Sequence, residues 1–424
     1  MSPPLRVAIS GGGLAGASLL HALLQYKHLD VHIFESAKEF REAGIAIGMS
    51  RNALAALDLL GQSQCLEQAG AVPMRGVRFM LAQGKDAGAM IAQADDGNWG
   101  DRVTSIVHRA AFLRELLADI PADRMHASKR LDRIDRNGDG SVTMHFTDGS
   151  VHECDILVGA DGIHSTVRKA ILGADDPAIS PTNTGWWTVM VLKPYADAQA
   201  SFGKDLIDIE DAREFGWIGD GSFLLHNVLE NGQLVQIATA TKDEDAEGSD
   251  RWSRTATADE LRKIYQDYPP QIKKAVDELL CNEPEQPAIY LWDQPPARSY
   301  VSGPICVMGD AAHATTPWQA SGGGMSIEDS LILSTLLGRV KTPVEAVAAL
   351  EAYDQIRRPR TQRIVESSRV TGTILAGKGE DTLLDLGKLK ERLLPRWDFI
   401  IGLDMAEHRD EAVETLEKLV KKGY

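Results

Sequence analysis

The sequence predicts an α/β protein whose parallel-sheet domain is interrupted by a mainly β domain and followed by a helical C-terminus. Three observations carry this expectation. A strand, glycine turn, helix and strand open the chain; buried-strand runs recur at 156–160 and 305–308; and between them, across 181–283, the pattern changes to aromatic strand segments and polar loops. At 424 residues the chain exceeds one small core and suggests two or three units sharing interfaces. Its 43% hydrophobic and 25% charged content is that of a folded globular chain, without low-complexity tracts or an internal repeat.

Residues 5–9 are a short apolar run, 14–24 are apolar nearly all round as in a buried helix, and 31–34 are a second strand run. This is a βαβ unit of Rossmann-like type. Its right-handed crossover makes the strands parallel and sets the glycine turn at their carboxyl edge, where such sheets bind ligands. From 124 to 152, period-two segments flank Asn137-Gly138-Asp139-Gly140 and Asp148-Gly149, which predicts a β-meander. Residues 156–160 return to buried strand, followed by Asp161-Gly162 and a helix through 167–172. Strand candidates around Trp186-Trp187 and 223–225, with a helix at 258–267, predict a separate sheet that walls a substrate site. A buried strand at 305–308 and a long helix at 326–339 return the chain to the first domain; helical patterns cover 343–372 and 382 to the end. The expected domains are 1–180 with 284–372, discontinuous; 181–283 inserted, with a contribution from 76–99; and a helical segment at 373–424.

A formal net charge of −16 argues against nucleic-acid partners, which need clustered cations to displace counterions. The one basic run, Arg357, Arg358, Arg360 and Arg363, is expected on a solvated or interface face of a helix. Cys65, Cys154, Cys281 and Cys306 lack CxxC spacing and predict reduced structural thiols, neither disulfide framework nor zinc site. The start enters a strand directly without a signal-peptide pattern, and no run reaches the ~18 apolar residues of a membrane span. A cytoplasmic protein is expected. No HExxH or G-x-S-x-G spacing occurs, so neither a metal site nor a serine nucleophile is predicted.

Gly11-Gly12-Gly13-Leu14-Ala15-Gly16 fits G-x-G-x-x-G. Gly11 permits the tight turn, Gly13 lets the backbone approach a pyrophosphate, and Gly16 lets helix and strand pack closely, while the helix start offers free N–H groups to the phosphates. The spacing alone is a weak signal, shared with NAD-dependent dehydrogenases. Glu35, at the end of the second strand, is placed to accept from a ribose. Two later blocks add specificity: 155–162 continuing to Ser165 and Arg168, and 305–313 with Asp310 at a strand end among small residues. Gly322-Gly323-Gly324 then opens a helix whose positive end suits a ring that gains negative charge.

In order and spacing these blocks resemble those of the single-component FAD-dependent aromatic hydroxylases, the salicylate-hydroxylase-like flavoprotein monooxygenases that include fungal polyketide-phenol hydroxylases. The likeness runs from the first strand to about Gly372. It implies a Rossmann-like FAD-binding domain with an inserted, mainly β substrate domain. By the resemblance, Glu35 holds the adenosine ribose and Asp310 the ribityl chain. Gly48, in the Gly44-Ile45-Ala46-Ile47-Gly48 loop, approaches the flavin with Gly322 and Gly323; Arg109 reaches the cofactor; and Asp161 serves both FAD and NAD(P)H. No second nicotinamide unit is visible, in keeping with transient NAD(P)H docking. The implied activity is hydroxylation of a small phenolic substrate by O2 and NAD(P)H through a flavin C4a-hydroperoxide, with or without loss of aromaticity.

The substrate region departs from the family pattern. Where relatives carry an Arg on the strand around 186–192 this chain has Met190, and where they carry His-Tyr-Pro it has His226-Asn227-Val228. Salicylate-type carboxylate recognition is therefore not expected, and a neutral phenol is. His226 is the candidate catalytic base, because imidazole titrates in the useful range, although a lone histidine also serves as a structural residue. Met190, Asn227, Pro317 and Trp318 complete the expected substrate pocket. Two other classes share the cofactor motifs: a flavin-dependent oxidase or reductase, separated by the absence of oxygen incorporation, and a non-catalytic FAD-binding regulatory protein, separated by the lack of substrate-stimulated NAD(P)H oxidation.

Overall fold

The computed structural model describes residues 3–41 and 46–423. Gly44 and Ile45 of the expected cofactor loop lie outside these residues, whereas Ala46, Ile47 and Gly48 fall on the strand Ala46–Ser50. Among the described residues, the first sheet has six strands in the order Val301–Ser302, Ile305–Val307, Ile156–Gly159, Leu5–Ser10, Leu29–Phe34 and Met125–His126. All its pairings are parallel except that of the outermost hairpin, Val301–Ser302 with Ile305–Val307. The helices Leu14–Leu23 and Gly322–Leu337 are buried nearly all round, which explains why their sequences carry almost no polar face. Residues 131–154 form a three-stranded antiparallel meander, turning at the predicted Asn-Gly and Asp-Gly positions.

The second large sheet has nine strands and walls the other side of the molecule. Val77–Leu81 and Met90–Ala94 join it, so residues from the first third of the chain extend the inserted domain. The boundary expected at 283 requires correction. Glu285–Asp293 is an interior strand of this sheet, paired to Thr182–Thr188 on one side and Ser253–Thr257 on the other, so the insertion runs through Asp293. Its alternation of exposed and buried residues resembles an edge strand, and the Pro-rich flank at 284–287 hid it.

The C-terminal helices Leu386–Arg392 and Met405–Lys421 pack on both domains, and Pro343–Leu375 runs unbroken through Pro359. Of the two readings of the arginine run within that helix, the interface face holds for Arg357 and Arg360, whereas Arg363 is exposed. Arg357 is fully buried; its Nε donates to Asp329 at 2.8 Å and its Nη1 to Glu328 at 2.5 Å. Arg360 grips the same Glu328, Arg358 pairs with Asp354 one turn back, and Arg363 lies over the Phe399 ring. Arg357 and Arg360 clamp the helices Gly322–Leu337 and Pro343–Leu375 together, and Arg360 and Arg363 secure the C-terminal segment at Phe399 and Ile400. All four cysteines are free and buried.

Candidate active site

A single cavity of about 970 Å³ lies between the two large sheets. Its first part is built by the βαβ unit. Gly11 turns the chain at φ +111°, and a Cβ there would stand 2.1 Å from the Ala160 carbonyl oxygen. A Cβ at Gly16 would meet Gly11 O at 2.1 Å, so Gly16 serves helix–strand packing and does not face the cavity. Gly13 does face it, at the start of a helix with no side-chain cap. Glu35 closes the turn from the next strand: one carboxylate oxygen accepts from Gly12 N at 2.7 Å and the other from Ala37 N at 2.7 Å. The oxygen bonded to Gly12 keeps a lone pair to accept from a ligand hydroxyl at the cavity edge, while the other also accepts from Ser36 Oγ.

Asp310 begins a short helix after Gly309, which adopts φ +56°, and its carboxylate is exposed to the cavity. That turn is fastened from behind by Asp329, whose Oδ2 accepts from Gly309 N at 3.0 Å and faces His313 Nε2 at 2.6 Å. Gly322 and Gly323 line the cavity at the start of a 16-residue helix that likewise has no side-chain cap. Gly48 and Arg109 lie on the wall between these two ends. Asp161 borders the cavity too, but its carboxylate is committed to its own loop, accepting from Ser165 Oγ at 2.5 Å and from Thr166 N at 2.8 Å. Burial pushes its pKa up despite those bonds. Asp161 fixes the backbone of the turn that follows the Ile156–Gly159 strand.

This cradle fits FAD. Two uncapped helix ends open onto one cavity, one able to take a pyrophosphate and the other an electron-rich ring, while carboxylates at Glu35 and Asp310 offer acceptors to sugar hydroxyls between and beyond them. Sequence reasoning missed the cations Arg41, Lys129 and Arg130 that flank the Glu35 end of the cavity. Their only sequence sign is a Lys-Arg pair just past the edge strand.

The second part of the cavity is walled by the nine-stranded sheet. Met190, Asn227, Pro317 and Trp318 all line it, as do Val77, Phe79, Leu225 and Leu291. Trp318 is held edge-on to Trp186, ring centroids 5.2 Å apart. His226 requires correction. Along the strand Ser222–Leu229, Phe223, Leu225 and Asn227 face the cavity, so His226 faces the other side, as alternation demands. It is fully buried between Phe202 and Phe215, with Trp217 Nε1 donating to its Nε2 at 3.2 Å, and burial lowers its pKa to about 3. It is a neutral core residue that meets no ligand in the cavity. His226 and Asn227, being adjacent on one strand, do not share a face.

Reasoning from sequence also missed Glu214 and Gln236, which line the cavity on the two strands that flank Ser222–Leu229. Glu214 follows an acid-rich loop and reads as a surface residue, yet burial alone raises its pKa to about 7. Among the described residues no helix is long and apolar enough to cross a membrane.

Comparison with known proteins places this architecture. Residues 5–368 match the FAD binding domain family. The chain is 33% identical over 428 aligned residues to 6-methylsalicylate 1-monooxygenase of Aspergillus terreus, covering 98% of this chain and 93% of that protein. It is 29% identical to a salicylate hydroxylase of Pseudomonas putida, covering 96% and 95%. A solved salicylate hydroxylase substrate complex superposes with a TM-score of 0.85 at 25% identity, covering 97% of this chain and 98% of that one. With the cradle described above, these matches establish that the chain belongs to the FAD binding domain family and is an FAD-dependent aromatic monooxygenase of the salicylate-hydroxylase type.

Proposed function

We propose that this monooxygenase hydroxylates a small neutral phenol, with NAD(P)H as electron donor and O2 as the source of the inserted oxygen. The observation that carries the substrate class is the sheet wall of the cavity. Its contributing side chains include Thr188, Met190, Leu225, Ala238, Ile289 and Leu291, and among the described residues no Lys or Arg of this sheet lines it. A carboxylate buried there without a cation costs several kcal/mol, whereas a hydroxyl needs only a hydrogen-bond partner. The relative named for 6-methylsalicylate shares a third of its residues with this chain, which supports a phenolic ring but leaves the ring's acid group to be decided by this wall.

FAD, when bound, supplies the redox chemistry that couples NAD(P)H oxidation to oxygen insertion. The chain's own residues do the rest. Glu35 and Asp310 hold the sugar hydroxyls, and the Gly13 and Gly322 helix ends face the charged portions of the cofactor. The Trp318 edge and the apolar strand residues keep water from the ring and leave a flat slot for the substrate. The test is to compare product formation, by mass and with labelled oxygen, for matched hydroxylated benzaldehyde and salicylate rings. Coupled hydroxylation of the aldehyde at higher kcat/KM is expected; efficient turnover of the salicylate alone defeats the proposal.

A further inference from the structure

The cavity face of the nine-stranded sheet is apolar row by row, with one exception. Asn227 pairs directly with Gln236 across two neighbouring strands, and Gln236 with Leu192 on the next. On the other side Phe215 pairs with His226, which sets Glu214 opposite Asn227, and Glu214 pairs in turn with Val77. Glu214, Asn227 and Gln236 thus form one polar row across three adjacent strands, all facing the cavity. The adjacent row, Phe79, Gly216, Leu225, Ala238 and Met190, carries no charge.

The polar row is unsatisfied. Asn227 is 1% exposed and its Oδ1 has no partner; Gln236 is 8% exposed and its Oε1 has none either. The Asn227 amide makes one bond, to the adjacent Val228 carbonyl at 3.2 Å. The Glu214 side chain makes no hydrogen bond or ion pair among the described residues, although its backbone N–H is bonded to Gly76 O. Two buried amide oxygens and a half-buried carboxylate in one line, open toward a cavity, are costly to leave without partners unless a ligand completes them. The unpaired amide oxygens and the carboxylate accept hydrogen bonds, so the hydroxyl groups of a ligand would complete them.

We propose that Glu214 takes the proton from the substrate's phenolic hydroxyl, while Asn227 and Gln236 bind the hydroxyls of a neutral, polyhydroxylated ring. In this step the phenol O–H bond breaks, the proton moves to a Glu214 carboxylate oxygen, and the electron pair stays on the ring oxygen to activate the ring carbons. The proton returns when the product re-forms its O–H. This assignment rests on the monooxygenase reading above and deepens it by naming the group that activates the ring.

Burial supports the role, since an ordinary carboxylate is too weak a base for a phenol of pKa ~10, and a raised pKa narrows that gap. The surroundings of Glu214 do not compete. On the cavity side its neighbours are Val77, Asn227 and Gln236, none titratable. The nearby cations Arg213 and Arg78 belong to the opposite face, where Asp211 pairs with them at 3.1 and 3.9 Å. Side chains in the row are about one strand spacing apart, ~4.8 Å, which is also the span between meta-related oxygens on a benzene ring. That makes 2,4-dihydroxybenzaldehyde the probe.

The test uses FAD-loaded wild type, Glu214→Gln and Glu214→Asp. Absorbance difference spectra report how much bound probe is phenolate, and steady-state kinetics with product mass report turnover. In wild type, bound phenolate and kcat/KM should both rise through pH ~7 as Glu214 of the free enzyme loses its proton and becomes able to take that of the phenol. Glu214→Gln should still retain FAD and bind the probe within a few-fold, but lose the phenolate signature and at least tenfold in kcat; Glu214→Asp should restore part of both. A Glu214→Gln variant that ionises and turns over the probe like wild type overturns the assignment and leaves the monooxygenase reading intact. Failure of wild type to hydroxylate the probe or any neutral phenol instead defeats the substrate reading itself.

Discussion

The fate of His226 depends on one strand's alternation. Its imidazole is stacked at 5.1 Å on Phe215 and accepts from Trp217, so it fills a slot in the core and satisfies a buried indole N–H. Truncating it leaves both a cavity and an unpaired donor. His226→Ala is therefore expected to cost about 2–4 kcal/mol in urea unfolding while kcat of the folded fraction changes less than twofold. A normal midpoint with a collapsed kcat reverses the assignment. The same strand shows what was legible at this scale. The carboxylates proposed to hold a nucleotide, Glu35 and Asp310, were readable because a motif fixes their place at strand ends. Asn227 was readable only as a departure from the family pattern. Glu214 was not, because nothing in a segment of alternating acids and apolar residues says which side of a sheet will be dry.

Among elements, the helix Pro343–Leu375 explains how the cofactor cradle stays rigid. Arg357 and Arg360 meet Glu328 and Asp329 in a region without solvent, and Asp329 reaches on to hold the Gly309 turn beneath Asp310. The arginines hold the Glu328 carboxyl well below the usual range, so it stays ionised. A buried pair is costly to break, since the surviving charges keep their desolvation penalty. Arg357→Met should lower stability by about 3–5 kcal/mol and, by loosening the Gly309 turn, also weaken FAD retention. Unfolding midpoints and flavin fluorescence on dilution check the two effects; a stable variant with normal FAD affinity removes the clamp from the account. Element boundaries in the parallel sheet were legible because continuous apolar runs and glycine turns mark them. The clamp was not, since four arginines on a helix read as either a solvated or an interface face until the carboxylates of another helix, about thirty residues earlier, are brought against Arg357 and Arg360.

For the whole molecule, the parts join at one cavity, and acid should separate them in a predictable window. His226, His152 and His408 are held neutral by burial, with pKa values lowered to about 3, 4 and 4 from an ordinary 6.5. They sit in different places: His226 in the substrate-side core, His152 beside Phe34 near the adenosine end, and His408 against Arg357 of the clamp. In each case the unfolded chain binds a proton that the folded chain refuses, so stability is lost as pH falls below 6.5 and goes on falling to about 4 for His152 and His408 and to about 3 for His226. Glu214 acts in the opposite sense. Its raised pKa means the folded chain binds the extra proton, and stability falls as pH rises from about 4.5 to 7. Three histidines against one carboxyl predict a net loss on acidification from pH 7 to 5, visible as a lower thermal midpoint. Glu214→Gln removes the opposing contribution, so its midpoint should lie above wild type at pH 8 and fall more steeply below pH 7. Thermal unfolding of wild type and variant across pH 5 to 8 tests both statements, and parallel curves for the two proteins would place Glu214 in solvent, not in a dry cavity wall.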